Sequence, residues 1–194
     1  MGSIPGAYLA ALLIAEIKAL CYGLGSVTLF GMDLSFSKLT LVVEFLVKHG
    51  ARSDVEGATP ALLFAAAVDG DDPRGVKLLL KAKARVNARG PQGRSALMVA
   101  ALADNAEIAD ALLAAGAEVE ARDDAGHSAL LEAARAGANR VLQRLVFHKP
   151  DALATDQRGR GALHLAAQSG NAGVETLNLL LALGCPADAA DHGG

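Results

Sequence analysis

Few residues in this 194-residue chain could do chemistry: five histidines, two cysteines, and arginines gathered beside glycines. Metal binding needs His, Cys or carboxylate ligands at short, regular spacings. His49, His127, His148 and His192 are read as having no Cys, Asp or Glu partners at such spacing. Cys21 and Cys185 lie far apart, so no bridge between them is expected and a reducing compartment is implied. No G-x-S-x-G elbow presents a serine nucleophile. The G-x-G fragments at Gly23 and Gly159 lack the third glycine and the preceding strand of a dinucleotide site. The pairs Asp71-Asp72 and Asp123-Asp124 fall in loop-like stretches, where helix capping explains them more simply than acid–base catalysis. The chain is therefore expected not to be an enzyme, and no cofactor or metal is assigned.

The arginines are more informative. Arg89, Arg94, Arg122, Arg158 and Arg160 all sit in or beside stretches that read as hairpin loops. Arg89 and Arg122 are 33 residues apart, so they should line up if the chain repeats with that period. A guanidinium grips a carboxylate in two-pronged fashion, which makes loop arginines candidates for partner recognition. The competing reading is a solvated rim that keeps the protein soluble.

Helices must position these loops. In GRGALHLAAQSGN, Leu163, Ala166 and Ala167 fall at i, i+3, i+4, one face of an α-helix. Small alanines on that face let another helix lie close, and Gly170 offers a stop. The pattern recurs as GHSALLEAARAGAN, with Leu130, Ala133 and Ala134, and as GRSALMVAALADN, with Leu97, Ala100 and Ala101. Gly93, Gly126 and Gly159 are spaced 33 residues apart, the signature of a stacked array. Second helices should bury Val76, Leu79 and Leu80; Ala109, Leu112 and Leu113; Leu142, Leu145 and Val146; and Leu177, Leu180 and Leu181. Lys83 replaces the usual glycine after the first of these helices, and Lys149-Pro150 stands where Gly116-Ala117 closes the helix one repeat earlier, so a turn of different shape is expected at Lys149-Pro150.

The unit resembles the ankyrin repeat, whose pattern runs D-x-x-G-x-T-P-L-H-x-A-A-x-x-G, then V-V-x-x-L-L-x-x-G-A. D-x-x-G stands here as Asp123 to Gly126 and as Asp156 to Gly159, and L-H-x-A-A is complete as Leu163 to Ala167. The resemblance covers roughly residues 40 to 194. It implies an all-α fold, an ankyrin-repeat α-solenoid of helix-turn-helix units joined by hairpin loops. Residues 1–53 are expected to form a divergent N-terminal helical cap and partial repeat, with one helix over 7–20 and an irregular loop at SVTLFGMDLSF. The array follows at about 54–89, 90–122, 123–155 and 156–190, and Asp191 to Gly194 begins a further hairpin. The resemblance gives His164 a hydrogen-bonding role across turn backbone. Gly161 replaces the threonine that helps this network, which should weaken it. Phe64, Met98 and Leu131, in the histidine's slot, should add core packing rather than line a ligand pocket.

By the same resemblance, partners bind at the hairpin tips and the exposed side of the first helices. The candidate recognition set is Arg89, Arg94, Arg122, Asp124, His127, Arg135, Arg158, Arg160 and Gln168. The partner is expected to be a protein with an acidic, extended segment, held by a surface on which Asp124 and Asp156 dilute the positive charge. Reversing Arg94 and Arg160 to Glu together is expected to leave stability nearly unchanged. A net charge of −3 is too small to argue for a nucleic-acid or membrane partner by itself, and no nucleic-acid partner is expected. The apolar N-terminal run is broken by Glu16 and Lys18, short of the ~20 clean residues a membrane span needs. The leading reading is a cytoplasmic, non-catalytic interaction scaffold, with weak self-association possible through the flank bearing Leu177 and Leu181. The alternative is the targeting region of a larger enzyme or effector whose catalytic part lies outside this chain.

Overall fold

The computed structural model describes residues 27–29, 32–34, 73–81 and 83–187. The readings for the helix at 7–20, the partial repeat at Ser37–Ala51, the first helix of the 54–89 unit and the hairpin at Asp191 lie outside these residues. Within SVTLFGMDLSF, where an irregular loop was expected, two short strands form instead. β1 (Val27–Leu29) and β2 (Met32–Leu34) pair antiparallel, with Val27 opposite Leu34. Val27 and Thr28 are β-branched residues that suit an extended strand.

The array is helical. α1 (Arg74–Lys81) is the second helix of its unit. The next unit holds α2 (Ala96–Leu102) and α3 (Ala106–Ala114). It is followed by α4 (Ala129–Ala136) with α5 (Asn139–Val146), then α6 (Ala162–Ser169) with α7 (Val174–Ala182). First helices stack on first helices, α2 on α4 on α6, and second helices stack likewise, α1 on α3 on α5 on α7. No helix among the described residues is long and apolar enough to cross a membrane.

The core follows the small-residue stripes. Leu97, Ala100 and Ala101 of α2 and Leu130, Ala133 and Ala134 of α4 are all buried. Met98 and Leu131 are fully buried too, as the histidine slot predicts. On the second helices Leu80 and Leu177 are only half-buried, and two expectations fail outright. Val146 is 37% exposed and Leu181 is 51% exposed, while Val141 and Thr176 are fully buried. The buried stripe lies one step round the helix. It uses Ile108, Val141 and Thr176, which are equivalent once the two extra residues before α7 are counted. In the last unit Leu163 is half-buried and Ala167 exposed, and Leu165 is buried in their place.

Helix ends show how sequence sets the turns. Ser95 and Ser128 cap α2 and α4, accepting from the backbone N–H of Met98 at 3.3 Å and of Leu131 at 3.4 Å. Gly161 caps α6 with no side chain to offer. After the second helices α3 and α7, Gly116 and Gly184 adopt left-handed φ of 88° and 86°. Lys149 takes φ of 50° at the equivalent place, so the turn keeps its shape rather than differing from its neighbours. The Lys149 N–H still reaches the Val146 carbonyl at 3.2 Å, as Gly116 N–H reaches Leu113 at 3.0 Å. Pro150 removes only the second bond, the one Ala117 makes to Leu112 at 3.0 Å.

Two outcomes are expected in chemical denaturation. Leu130→Ala, at 1% exposure between stacked helices, should cost about 2–5 kcal/mol. Gly161→Thr should stabilise by roughly 1 kcal/mol, because an extended residue at φ −83° can hold a capping hydroxyl. A Cβ placed there lies 3.9 Å from His164 Nδ1, a buried nitrogen with no hydrogen-bond partner, so the new hydroxyl can reach it.

Candidate functional site

The hairpin loops are built alike. Asp123 and Asp156 are buried at their bases. Asp123 Oδ1 accepts from the N–H of Ala125 at 2.9 Å and of His127 at 2.8 Å. Asp156 Oδ1 accepts from the N–H of Arg158 at 2.8 Å and of Arg160 at 2.9 Å. Each carboxylate thus folds its own loop with one oxygen and keeps the other, Oδ2, for ion pairs. Gly126 turns through φ of 83°, and a side chain there would meet the backbone of Gln157 at 2.9 Å, so only glycine allows the next hairpin this close.

Consecutive hairpins are joined tip to tip. Asp124 N–H donates to the Gln92 carbonyl at 2.9 Å, and Gln157 N–H to the Ala125 carbonyl at 3.1 Å. Two of the arginines read as recognition candidates run alongside. Arg89 Nη1 donates to the Gly93 carbonyl at 3.2 Å and to the Arg122 carbonyl. Arg122 Nη1 repeats the arrangement, to Gly126 at 3.0 Å and Thr155 at 2.7 Å. The two therefore do line up, as the 33-residue spacing predicts, and their guanidiniums hold one repeat to the next. Thr155 occupies the third place in this series, where the next arginine would stand.

Between the two later hairpins lies a charge cluster centred on His127. Its Nδ1 is 3.2 Å from Glu132 Oε1 and 3.8 Å from Asp123 Oδ2, and its Nε2 is 3.5 Å from Asp156 Oδ2. The expectation that His127 has no carboxylate partners is overturned. Two of these three lie at i−4 and i+5, one across a loop and one a turn into a helix, and the third is in the next repeat. Glu132 is fully buried and also binds Arg135, with Nη2 at 2.5 Å and Nε at 3.1 Å. Asp156 binds Arg160 through Nη2 at 2.6 Å and Nε at 2.8 Å. Arg160 Nη1 reaches on to the Gln168 side chain. Arg94 Nε stands 3.9 Å from Asp123 Oδ2.

The titration of the cluster follows from these contacts. The Glu132 hydrogen bond holds the His127 imidazole above its ordinary value; burial opposes this, and the charges of Glu132, Asp123 and Asp156 add to it. Burial alone would raise Glu132, but hydrogen bonds from His127 and Arg135 overcome it and hold the carboxyl below the ordinary range. Asp156 is likewise held low, burial being outweighed by the bonds from Arg160 and Arg158. Asp123, His127 and Glu132 offer ligand atoms within 4.8 Å of one another, a spacing that a cation could span. Arg94, Arg135 and Arg160 already balance the three carboxylates, so the cluster's charge closes without one. Cys185 is buried, which pushes its thiol up and away from nucleophilic chemistry.

Of the sequence-predicted residues, Arg94, His127, Arg135, Arg160 and Gln168 thus meet in one network, while Arg89 and Arg122 serve the ladder. Asp124 and Arg158 are exposed at the tips, and neither side chain has a hydrogen-bond or ion-pair partner among the described residues. Charge reversal at Arg160 cannot leave stability unchanged, because it would set a carboxylate against buried Asp156.

Stacked two-helix units tied through their hairpins define a repeat scaffold. A family model of ankyrin repeats in three copies matches residues 34–123, 62–156 and 97–191, and this chain belongs to the ankyrin-repeat family. A search of curated proteins found no match. Ankyrin repeats are generally protein–protein interaction modules and typically non-catalytic.

The ladder has a measurable consequence. Arg122→Met keeps the aliphatic stem and deletes both carbonyl contacts. It should destabilise by about 1–3 kcal/mol in urea denaturation, where an ordinary exposed substitution moves stability by less than about 0.5 kcal/mol.

Proposed function

We propose that this chain is a non-catalytic, cytoplasmic scaffold that binds a protein partner across its hairpin tips and the exposed side of its first helices. The observation that supports this reading is the rigid tip row itself. Backbone bonds and the Arg89 and Arg122 guanidiniums fix the tips in register. Asp124 and Arg158 project there with side chains not engaged elsewhere, and Gln168 is exposed on α6. A prearranged polar row binds with little ordering cost.

The partner chemistry is mixed. Arg158 offers a two-pronged grip for a carboxylate, and Asp124 an acceptor for a cation or amide. The acidic extended segment rests chiefly on Arg158, since Arg94, Arg135 and Arg160 each have an internal carboxylate nearby. Exposed charges of this kind tune association rate and specificity more than total affinity.

Affinity capture with the wild-type chain and two variants tests the proposal. In one, Asp124→Lys is combined with Arg158→Glu. In the other, Glu107→Lys alters an exposed residue of α3, a second helix. Proteins captured by wild type should be lost with the tip variant and kept with the α3 variant. Equal capture by all three, with thermal midpoints unchanged, would move the binding surface off the hairpin tips.

A further inference from the structure

His127 occupies a place that recurs once per repeat, directly after the hairpin glycine. Its equivalents are Arg94, after Gly93, and Arg160, after Gly159. All three set a cationic side chain against a buried hairpin aspartate. Arg94 faces Asp123 of the following hairpin, and Arg160 binds Asp156 of its own. His127 faces both kinds of partner at once, Asp123 and Glu132 of its own repeat and Asp156 of the next. Arginine is permanently charged; histidine is the side chain whose charge changes near neutrality.

The two ring nitrogens decide what the geometry requires. Nδ1 lies within hydrogen-bond distance of one carboxylate oxygen, at 3.2 Å, while Nε2 is buried without a hydrogen bond and faces another at 3.5 Å, an ion-pair distance. Ionised carboxylates only accept hydrogen bonds, and neutral imidazole carries one N–H. Only the doubly protonated ring can face Glu132 and Asp156 together with a proton on each side. A neutral ring that keeps its proton toward Glu132 turns a lone pair toward the Asp156 oxygen. Charged groups facing the ring come from each neighbouring element. They are Arg94 and Asp123 from the hairpins before α4, Glu132 and Arg135 from α4, and Asp156 and Arg160 from the hairpin before α6. Three carboxylates and three guanidiniums cancel, so near neutrality the charge that varies in the cluster is the imidazole proton.

We propose that His127 is a proton-operated clasp between the 123–155 and 156–190 repeats: protonated it ties Glu132 to Asp156 across the junction, and on losing its proton it releases the Asp156 side. The proposal does not depend on which partner the scaffold binds. Its sign follows from linkage. A histidine held above its unfolded value contributes stability that is fully present below about pH 6.5. That contribution is lost as pH rises through the folded value. Glu132 and Asp156, held low, act oppositely: their contribution is present above the ordinary carboxylate range and is lost on acidification. Junction stability should therefore peak in mildly acidic solution and fall toward pH 8.

Three measurements on the full chain test this. Proton NMR of the wild type should show His127 titrating above about 6.5; a midpoint at or below that value overturns the clasp. The urea midpoint of the wild type should fall between pH 6 and pH 8, and that fall should be absent in both His127→Gln and His127→Arg. His127→Arg should keep the pH 6 behaviour at pH 8, since its charge is permanent. Hydrogen exchange, corrected for intrinsic rates, should show the Asp156–Gly161 hairpin losing protection at high pH in wild type alone. Identical pH slopes in wild type and His127→Arg would sink the proposal even if His127→Gln failed to fold.

Discussion

Two buried carboxylates hold the described array in register. Asp123 and Asp156 each use Oδ1 to bind two backbone N–H groups of their own loop, which fixes the hairpin before anything packs on it. A buried carboxylate is tolerable only when its remaining lone pairs are met. Oδ2 therefore has to find cations, and the nearest come from hairpin arginines, from His127, and from across the junction. Satisfying the aspartate and joining the repeats are one and the same act. The helices then inherit their spacing from the hairpins, and alanine stripes let them approach.

Because the period is 33 residues, each departure from the repeating pattern shows what a single slot contributes. Thr155 replaces Arg89 and Arg122, and the guanidinium series stops there. Gly161 replaces Ser95 and Ser128, so α6 loses its side-chain cap and the His164 ring loses a neighbour that could bind it. Lys149-Pro150 replaces a Gly-Ala pair, yet the left-handed turn survives with one bond fewer. Stacking on both sides dictates the turn, and the local preference yields to it. Two added residues before α7 leave the buried stripe intact, since Thr176 takes the place of Ile108 and Val141.

Much of this was legible in the sequence because it is local. Leucine and alanine at i, i+3 and i+4 read directly as the buried faces of α2 and α4, and glycine spacing gave the period. What was not legible depends on partners a repeat away. Arg89 and Arg122 look like free loop cations, but they bind carbonyls, which every residue carries and which leave no trace in the side-chain pattern. Asp123 and Glu132 look like unrelated capping and helix residues, and nothing in one dimension brings Asp156 to His127. The shift of the second-helix stripe from Val146 to Val141 leaves no mark in the sequence for a smaller reason. Both positions hold valine, and only the packing of α5 against its neighbours shows that Val141 is buried and Val146 is not.

A linear array concentrates the importance of such junctions. In a globular core every element touches many others, so one titrating group is diluted among them. In a stack each repeat meets only its neighbours, and cooperativity rests on nearest-neighbour interface energies. A change in charge at one junction then alters how strongly two units are coupled while leaving each unit's own helices and caps untouched. Arg94 and Arg160 set that coupling once, at folding. His127 stands in the same slot with a charge that the solvent can remove, at a junction whose other charges already cancel. The charge that distinguishes this slot from those of Arg94 and Arg160 is therefore one proton, and it lies beneath the same hairpin row that presents Asp124 and Arg158.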